Sequence, residues 1–125
     1  MIGYADNIEQ ATLENNYFRQ VVFTSKHAQL VLMCLKPGEE IGMEVHPTTD
    51  QFFRFEQGEG KVIIDGEEHA VSDGSAVIVP GGNRHNVINT SSDQDLKLYT
   101  IYSPPNHPAG TIHKTKAEAS AHEHE

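Results

Sequence analysis

The stretch GSAVIVPGGNRHNVIN, residues 74–89, decides how this chain is read. A glycine opens it, the apolar run Ala76–Val79 follows, and the chain turns at Pro80-Gly81-Gly82 before a second run, Arg84–Asn89. Both runs are too short and too branched for helices, and a proline–glycine loop between them is strand punctuation. Pro80 fixes its own φ just ahead of the loop that presents His85. Gly74 and Gly82 suit turns that need positive φ.

The same grammar extends in both directions. Apolar runs at Phe18–Phe23, Gln29–Leu35, Ile41–His46, Gln51–Phe55, Lys61–Asp65, Ala70-Val71 and Leu96–Tyr102 are cut by Pro37-Gly38, Gly58-Glu59-Gly60, Gly66 and Asp73-Gly74. Short strands at this spacing predict an all-β sandwich or barrel. Only Ile8–Asn15 and the segment from Lys114 are candidates for helices, both short. The last stretch, KTKAEASAHEHE (residues 114–125), is polar and expected to fray. A chain of 125 residues without a linker is one domain. A net charge of −9 disfavours nucleic acid and anionic membrane surfaces as partners. No apolar run approaches the ~20 residues of a membrane span, and the first residues lack the layout of a signal peptide. The single cysteine, Cys34, excludes an internal disulfide and a cysteine-based zinc site. These features together predict a cytoplasmic domain.

Strand parity assigns faces. Alternate residues of a strand share a side, so Glu44 and His46 point the same way, as do Gln51, Phe53 and Phe55. Phe52 and Arg54 take the opposite face. Phenylalanine on both sides of one strand leaves neither side freely solvated, which predicts an aromatic outer patch and a homodimer.

Two spacings carry the chemistry. Gly74, Pro80, Gly82, His85 and Asn89 fit G-x5-P-x-G-x2-H-x3-N. Gly38, Glu44, His46, Gln51 and Gly58 fit the frame G-x5-H-x-H-x4-E-x6-G, with Glu44 in place of the first histidine and Gln51 in place of the glutamate. These are the two motifs of the cupins, and the chain resembles a small single-domain cupin. The resemblance implies a double-stranded β-helix, the jelly-roll barrel, over residues 1–113 with its motif core at 38–89, followed by the polar tail 114–125. It also implies one divalent transition metal held by Glu44, His46, Gln51 and His85. Gln51 is either a ligand through its amide oxygen or only a hydrogen-bonding neighbour. Without it, two histidines and one carboxylate would suit iron(II) or manganese(II), and zinc and nickel stay open.

The remaining polar residues divide by context. His27 and His69 lie near turns and are expected in solvent. His113, His122 and His124 belong to the C-terminal polar segment, and Cys34 is expected to be a small buried hydrophobe. Asp50 is read as a turn residue and Arg54 as an outward one. Three prolines within Pro104–Pro108 stiffen the path after the last strand. That path either wraps a sheet edge or folds over the barrel mouth, where Tyr102 and His107 would be the candidates for proton transfer. Small cupins of this kind are often grouped with mannose-6-phosphate isomerases. The resemblance thus implies a metal-dependent isomerase or epimerase acting on a small sugar-like or carbonyl-containing molecule. A non-haem dioxygenase and a non-catalytic ligand-binding module are the alternatives. The few cations of the motif region, Arg54, Lys61 and Arg84, favour a substrate without phosphate.

Overall fold

The computed structural model describes residues 2–122. A short helix, α1 (Ile8–Glu14), is followed by strands β1 (Arg19–Thr24), β2 (Gln29–Leu35), β3 (Asp50–Gln57), β4 (Gly60–Ile64) and β5 (Glu67–Val71). Then come β6 (Ala76–Val79), β7 (His85–Asn89), β8 (Leu96–Ser103), β9 (Ile112–His113) and a second helix, α2 (Lys116–His122). The strands form two antiparallel sheets, six-stranded in the order β6-β3-β8-β2-β1-β9 and three-stranded in the order β5-β4-β7. Their inner faces close on one apolar cluster to which both sheets contribute, Val31, Phe53, Phe55 and Leu98 from the larger and Val62, Val71 and Val87 from the smaller. This is the double-stranded β-helix that the resemblance implies, within the all-β class that the strand spacing predicts.

Register explains which side chains enter the barrel. Directly paired residues share a face, and three inward rows cross the larger sheet. Arg19, Met33, Leu98 and Phe55 form one row; Val21, Val31, Thr100, Phe53 and Val77 form the next; Gln29, Tyr102, Gln51 and Val79 form the third. The first two rows are largely apolar, while the third is polar at three of its four places. The barrel therefore has an apolar body and one polar end.

The motif glycines Gly38, Gly58, Gly74 and Gly82 all take positive φ, and at Gly58 there is also no room for a side chain. Gly58 has φ +105°, and a Cβ there would lie 2.6 Å from the Asp95 carbonyl oxygen. Asn89, the last motif residue, is buried and ties the following loop down. Its Nδ2 donates to the Leu35 and Gln94 carbonyls at 3.0 and 2.9 Å, and its Oδ1 accepts from the Ser91 N–H at 2.9 Å.

The segment expected as a strand at Ile41–His46 is extended but not a regular strand. It makes only isolated bridges, Glu40 to Ile88 and Glu44 to His85, because Gly42 at φ +106° interrupts the pleat. The backbone nevertheless meets β7 through the paired bonds between Glu44 and His85, 2.8 and 2.9 Å. The segment expected to fray from Lys114 forms α2 through His122. Thr115 caps it by accepting from the Glu118 N–H, Ala119 is fully buried, and Lys116 Nζ donates to the Ile41 carbonyl at 2.6 Å. His124 lies outside the described residues. At the other end, Asn7 caps α1 and Lys97 Nζ closes it, donating to the Leu13 carbonyl at 2.6 Å. No helix among the described residues is long and apolar enough to cross a membrane.

Candidate metal centre

The polar end of the barrel gathers the motif side chains. His85 opens β7 and is buried, with Nδ1 3.1 Å from the Asn83 carbonyl and Nε2 3.1 Å from Gln51 Oε1. Gln51 Nε2 donates in turn to Thr100 Oγ1 at 3.0 Å. His46 packs its ring 5.4 Å from that of His85 and 5.7 Å from that of Tyr102. Its Nε2 is buried without a hydrogen bond and lies 3.4 Å from Glu44 Oε2. Four residues from three separate stretches of chain thus stand near one another, Glu44 and His46 on a bridged loop.

Electrostatics prepare these groups for a cation. Burial lowers the pKa of His46, with His85 and Arg19 adding to the effect, and burial lowers His85 as well. Both rings are therefore neutral at physiological pH, the form that ligates metals. A neutral ring has one N–H while both nitrogens of His85 face an oxygen; with Nδ1–H given to Asn83, Nε2 is a lone pair facing the amide oxygen of Gln51. Two acceptors 3.1 Å apart repel unless a cation draws on both. The donors at this end, two imidazole nitrogens, one carboxylate and one amide oxygen, fit a divalent transition metal in chemistry. Among the described residues, no group of three or more His, Cys, Asp or Glu side chains is already arranged to hold an ion. Glu44 and His46, on the looser segment, are the ligands that would have to adjust.

The proline-rich segment folds over this end. Gln29, at the edge of the polar row, holds it by three bonds. Its Oε1 accepts from the backbone N–H groups of Asn106 and His107 at 3.1 and 3.0 Å, and its Nε2 donates to the His107 carbonyl at 2.7 Å. The His107 ring consequently stands edge-on to Tyr102, centroids 5.2 Å apart, with Nε2 3.3 Å from the Tyr102 hydroxyl. Burial drives the His107 pKa down to about 3, helped by Arg19, His46 and His113. Tyr102 moves the other way, raised by burial and by the Glu44 charge.

Two residues at this end escaped the sequence reading. Arg19 is 1% exposed and its Nη1 contacts Nδ1 of His113, also buried, at 3.1 Å. His113 is thus an interior residue, not part of a solvated tail. The signal for Arg19 was its parity with Val21 on an apolar run. For His113 there was none, because its place depends on β9 pairing with β1. The other assignments match their surroundings. Asp50 Oδ1 caps the turn at the Gly81 N–H, 2.8 Å away. Arg54 points outward toward Glu56, and His27 and His69 are exposed. Cys34 is buried, its thiol pushed up to about 11 by burial first and by Asp95 second.

Comparison with known proteins agrees with this fold. The cupin-domain family model matches residues 31–102. Over 123 residues the chain is 53% identical to the uncharacterized protein YrkC of Bacillus subtilis (strain 168), covering 94% of this chain and 66% of that one. It is 45% identical over 113 residues to L612 of Acanthamoeba polyphaga mimivirus, covering 87% of this chain and 70% of that one. The chain thus spans about two thirds of the length of these curated relatives. The crystal structure of BH2720 from Bacillus halodurans superposes with a TM-score of 0.92 at 44% identity, covering 94% of this chain and 93% of that one.

Proposed function

The chain belongs to the cupin family, and from that premise we propose that it is a metal-dependent enzyme of the isomerase or epimerase type, acting in the cytoplasm on a small sugar-like or carbonyl-containing molecule. The observation that carries the reading is the meeting of Glu44, His46, Gln51 and His85 with the Tyr102–His107 pair at one end of the barrel. Glu44, His46 and His85, with Gln51 as a fourth donor, would hold the ion. A bound divalent metal would supply a Lewis acid that polarises a carbonyl oxygen.

The chain's own groups divide the remaining work. Tyr102, its pKa raised by burial, keeps its proton at neutral pH and would donate a hydrogen bond to the substrate oxygen. His107, with its pKa lowered to about 3, is a neutral acceptor that orients the Tyr102 hydroxyl and only a weak base. The strap that carries His107 would exclude water from the barrel mouth.

Elemental analysis of protein purified without added metal, together with proton exchange in D2O, tests this reading. Small aldoses, ketoses and oxo acids are incubated with the metal-loaded chain. Incorporation of deuterium beside the carbonyl, seen by NMR, is the expected result. A metal-free preparation that takes up no divalent ion, or the absence of exchange with every class, overturns it.

A second reading has one observation behind it. Glu44 Oε2 lies 3.4 Å from His46 Nε2, and the His46 and His85 rings are 5.4 Å apart, so with Gln51 as a hydrogen-bonding neighbour these three can form a two-histidine, one-carboxylate set with open positions, the pattern of non-haem iron oxygenases. Oxygen uptake by iron-loaded protein on substrate addition would favour that dioxygenase reading over isomerisation.

A further inference from the structure

Arg19 has no part in the donor set, yet it is the most deeply buried cation at that end of the barrel. It enters from the first inward row, paired with Met33 on one side and His113 on the other. Its guanidinium carbon lies 5.3 Å from the centre of the Phe18 ring. An arginine can only donate, so Nδ1 of His113 accepts the 3.1 Å bond from Nη1 and the proton of that ring is on Nε2. His113 therefore returns a hydrogen bond and no negative charge. Nε of Arg19 is buried and makes no hydrogen bond at all.

A guanidinium keeps its charge at any pH a protein survives. Burying one costs several kcal/mol unless an anion and hydrogen bonds compensate. The Arg19 charge lowers the pKa of His46 and His107 and opposes the rise at Tyr102, and register places Arg19 on the inward face of the sheet that carries Tyr102. Glu44 is the only acidic side chain of the donor set, and a divalent ion held there would leave this interior more positive still. Lys97, the other cation buried among the described residues, faces α1 and is engaged by Leu13 and Asn16.

We infer that Arg19 is an anion-binding residue that receives the carboxylate of a small organic acid inside the barrel, through the edge formed by Nε and Nη2. That edge offers two parallel N–H groups, the geometry that a carboxylate fills with paired, charge-assisted hydrogen bonds. A phosphate dianion would call for further donors, and the interior offers one guanidinium. The inference names the substrate class for the proposed function and shares its barrel interior, but it holds for the metal-free chain as well.

Calorimetric titration of the full chain, both metal-free and loaded, tests it with glycolate as the carboxylate probe, ethylene glycol as the uncharged counterpart and inorganic phosphate as the competing anion. Glycolate is expected to bind in both states and ethylene glycol in neither comparably, with the Arg19 Nε–H resonance shifting on addition of glycolate. Arg19→Met, which keeps length and removes charge, should weaken glycolate about 100-fold. Arg19→Lys, the variant that keeps the charge if the first fails to fold, should retain part of the binding. Equal binding of glycolate and ethylene glycol, an Nε–H resonance that does not move, unchanged affinity in Arg19→Met, or preference for phosphate would each overturn the inference. Glycolate binding that survives without metal, together with no deuterium exchange in any of the aldoses, ketoses and oxo acids, would sink the isomerase reading and leave this one standing.

Discussion

Single side chains at the polar end of the barrel carry opposing demands of solvation and charge. His46, His85 and His107 are all held neutral by burial, while in the unfolded chain each would titrate near 6.5. Below that pH the unfolded state binds more protons, so the stability these rings contribute is complete above about pH 6.5 and is lost as the pH falls toward their lowered folded values. Each ring can contribute at most about 1.4 kcal/mol per pH unit to the slope. Urea unfolding of the metal-free protein at pH 7.5 and 5.0 should show the midpoint falling. His107→Gln should show a smaller fall than the wild type, and equal falls would mean that His107 is not buried in solution. Substitution at the ligands has a different signature. His46→Ala and His85→Ala should each lose most bound metal by elemental analysis while keeping the β circular dichroism, since the apolar rows beneath them close without the ion. Full occupancy in either variant would remove that residue from the set. The same residues mark what could be read in advance. His46, His85 and Asn89 were legible because their spacing resembles the cupin motifs. Arg19 and His113 were not, because their meeting depends on a strand pair 94 residues apart in the chain.

Elements show the same division between local and distant causes. Runs with clear punctuation, such as Gln29–Leu35 and Ala76–Val79, became strands with those bounds. The run Ile41–His46 has strand composition but became a bridged loop, since Gly42 takes a conformation outside the β region. Helix α2 reads as a polar tail until its one buried methyl, Ala119, and the reach of Lys116 to Ile41 are seen together. The proline-rich strap depends on Gln29 in the same way, three hydrogen bonds from one side chain. Gln29→Leu keeps the volume, and it strands two backbone N–H groups and one carbonyl. At about 1 kcal/mol for each bond lost, it should cost about 2–3 kcal/mol in chemical denaturation and move the His107 ring away from Tyr102. An unchanged midpoint would mean that the prolines alone hold the strap.

At the scale of the whole molecule, the outer face of the larger sheet stands out. Ile78, Phe52, Ile101 and Leu30 form one outward row by register, with Phe52 6.2 Å from the ring of Tyr99 and Ile78 65% exposed. We propose that this row is where two copies of the chain pair, as phenylalanine on both faces of β3 suggested. Sedimentation should give a dimer for the wild type and a monomer for Ile78→Asp. A wild-type monomer, or a dimer indifferent to the charge, would place the patch elsewhere in the protein's chemistry.

The loose stitching of residues 40–46 to β7 has a mechanical consequence. His85 stands on a strand bonded along its length to β4, whereas Glu44 and His46 ride on chain anchored at isolated points. We expect the half of the proposed donor set outside the regular ladder to be the more compliant, so that an arriving ion would act as a rivet, drawing that margin against the frame. Amide hydrogen exchange should register this as protection gained across residues 41–46 when zinc or manganese is added, with little change along β4. Equal slowing of both would mean that the margin was never slack.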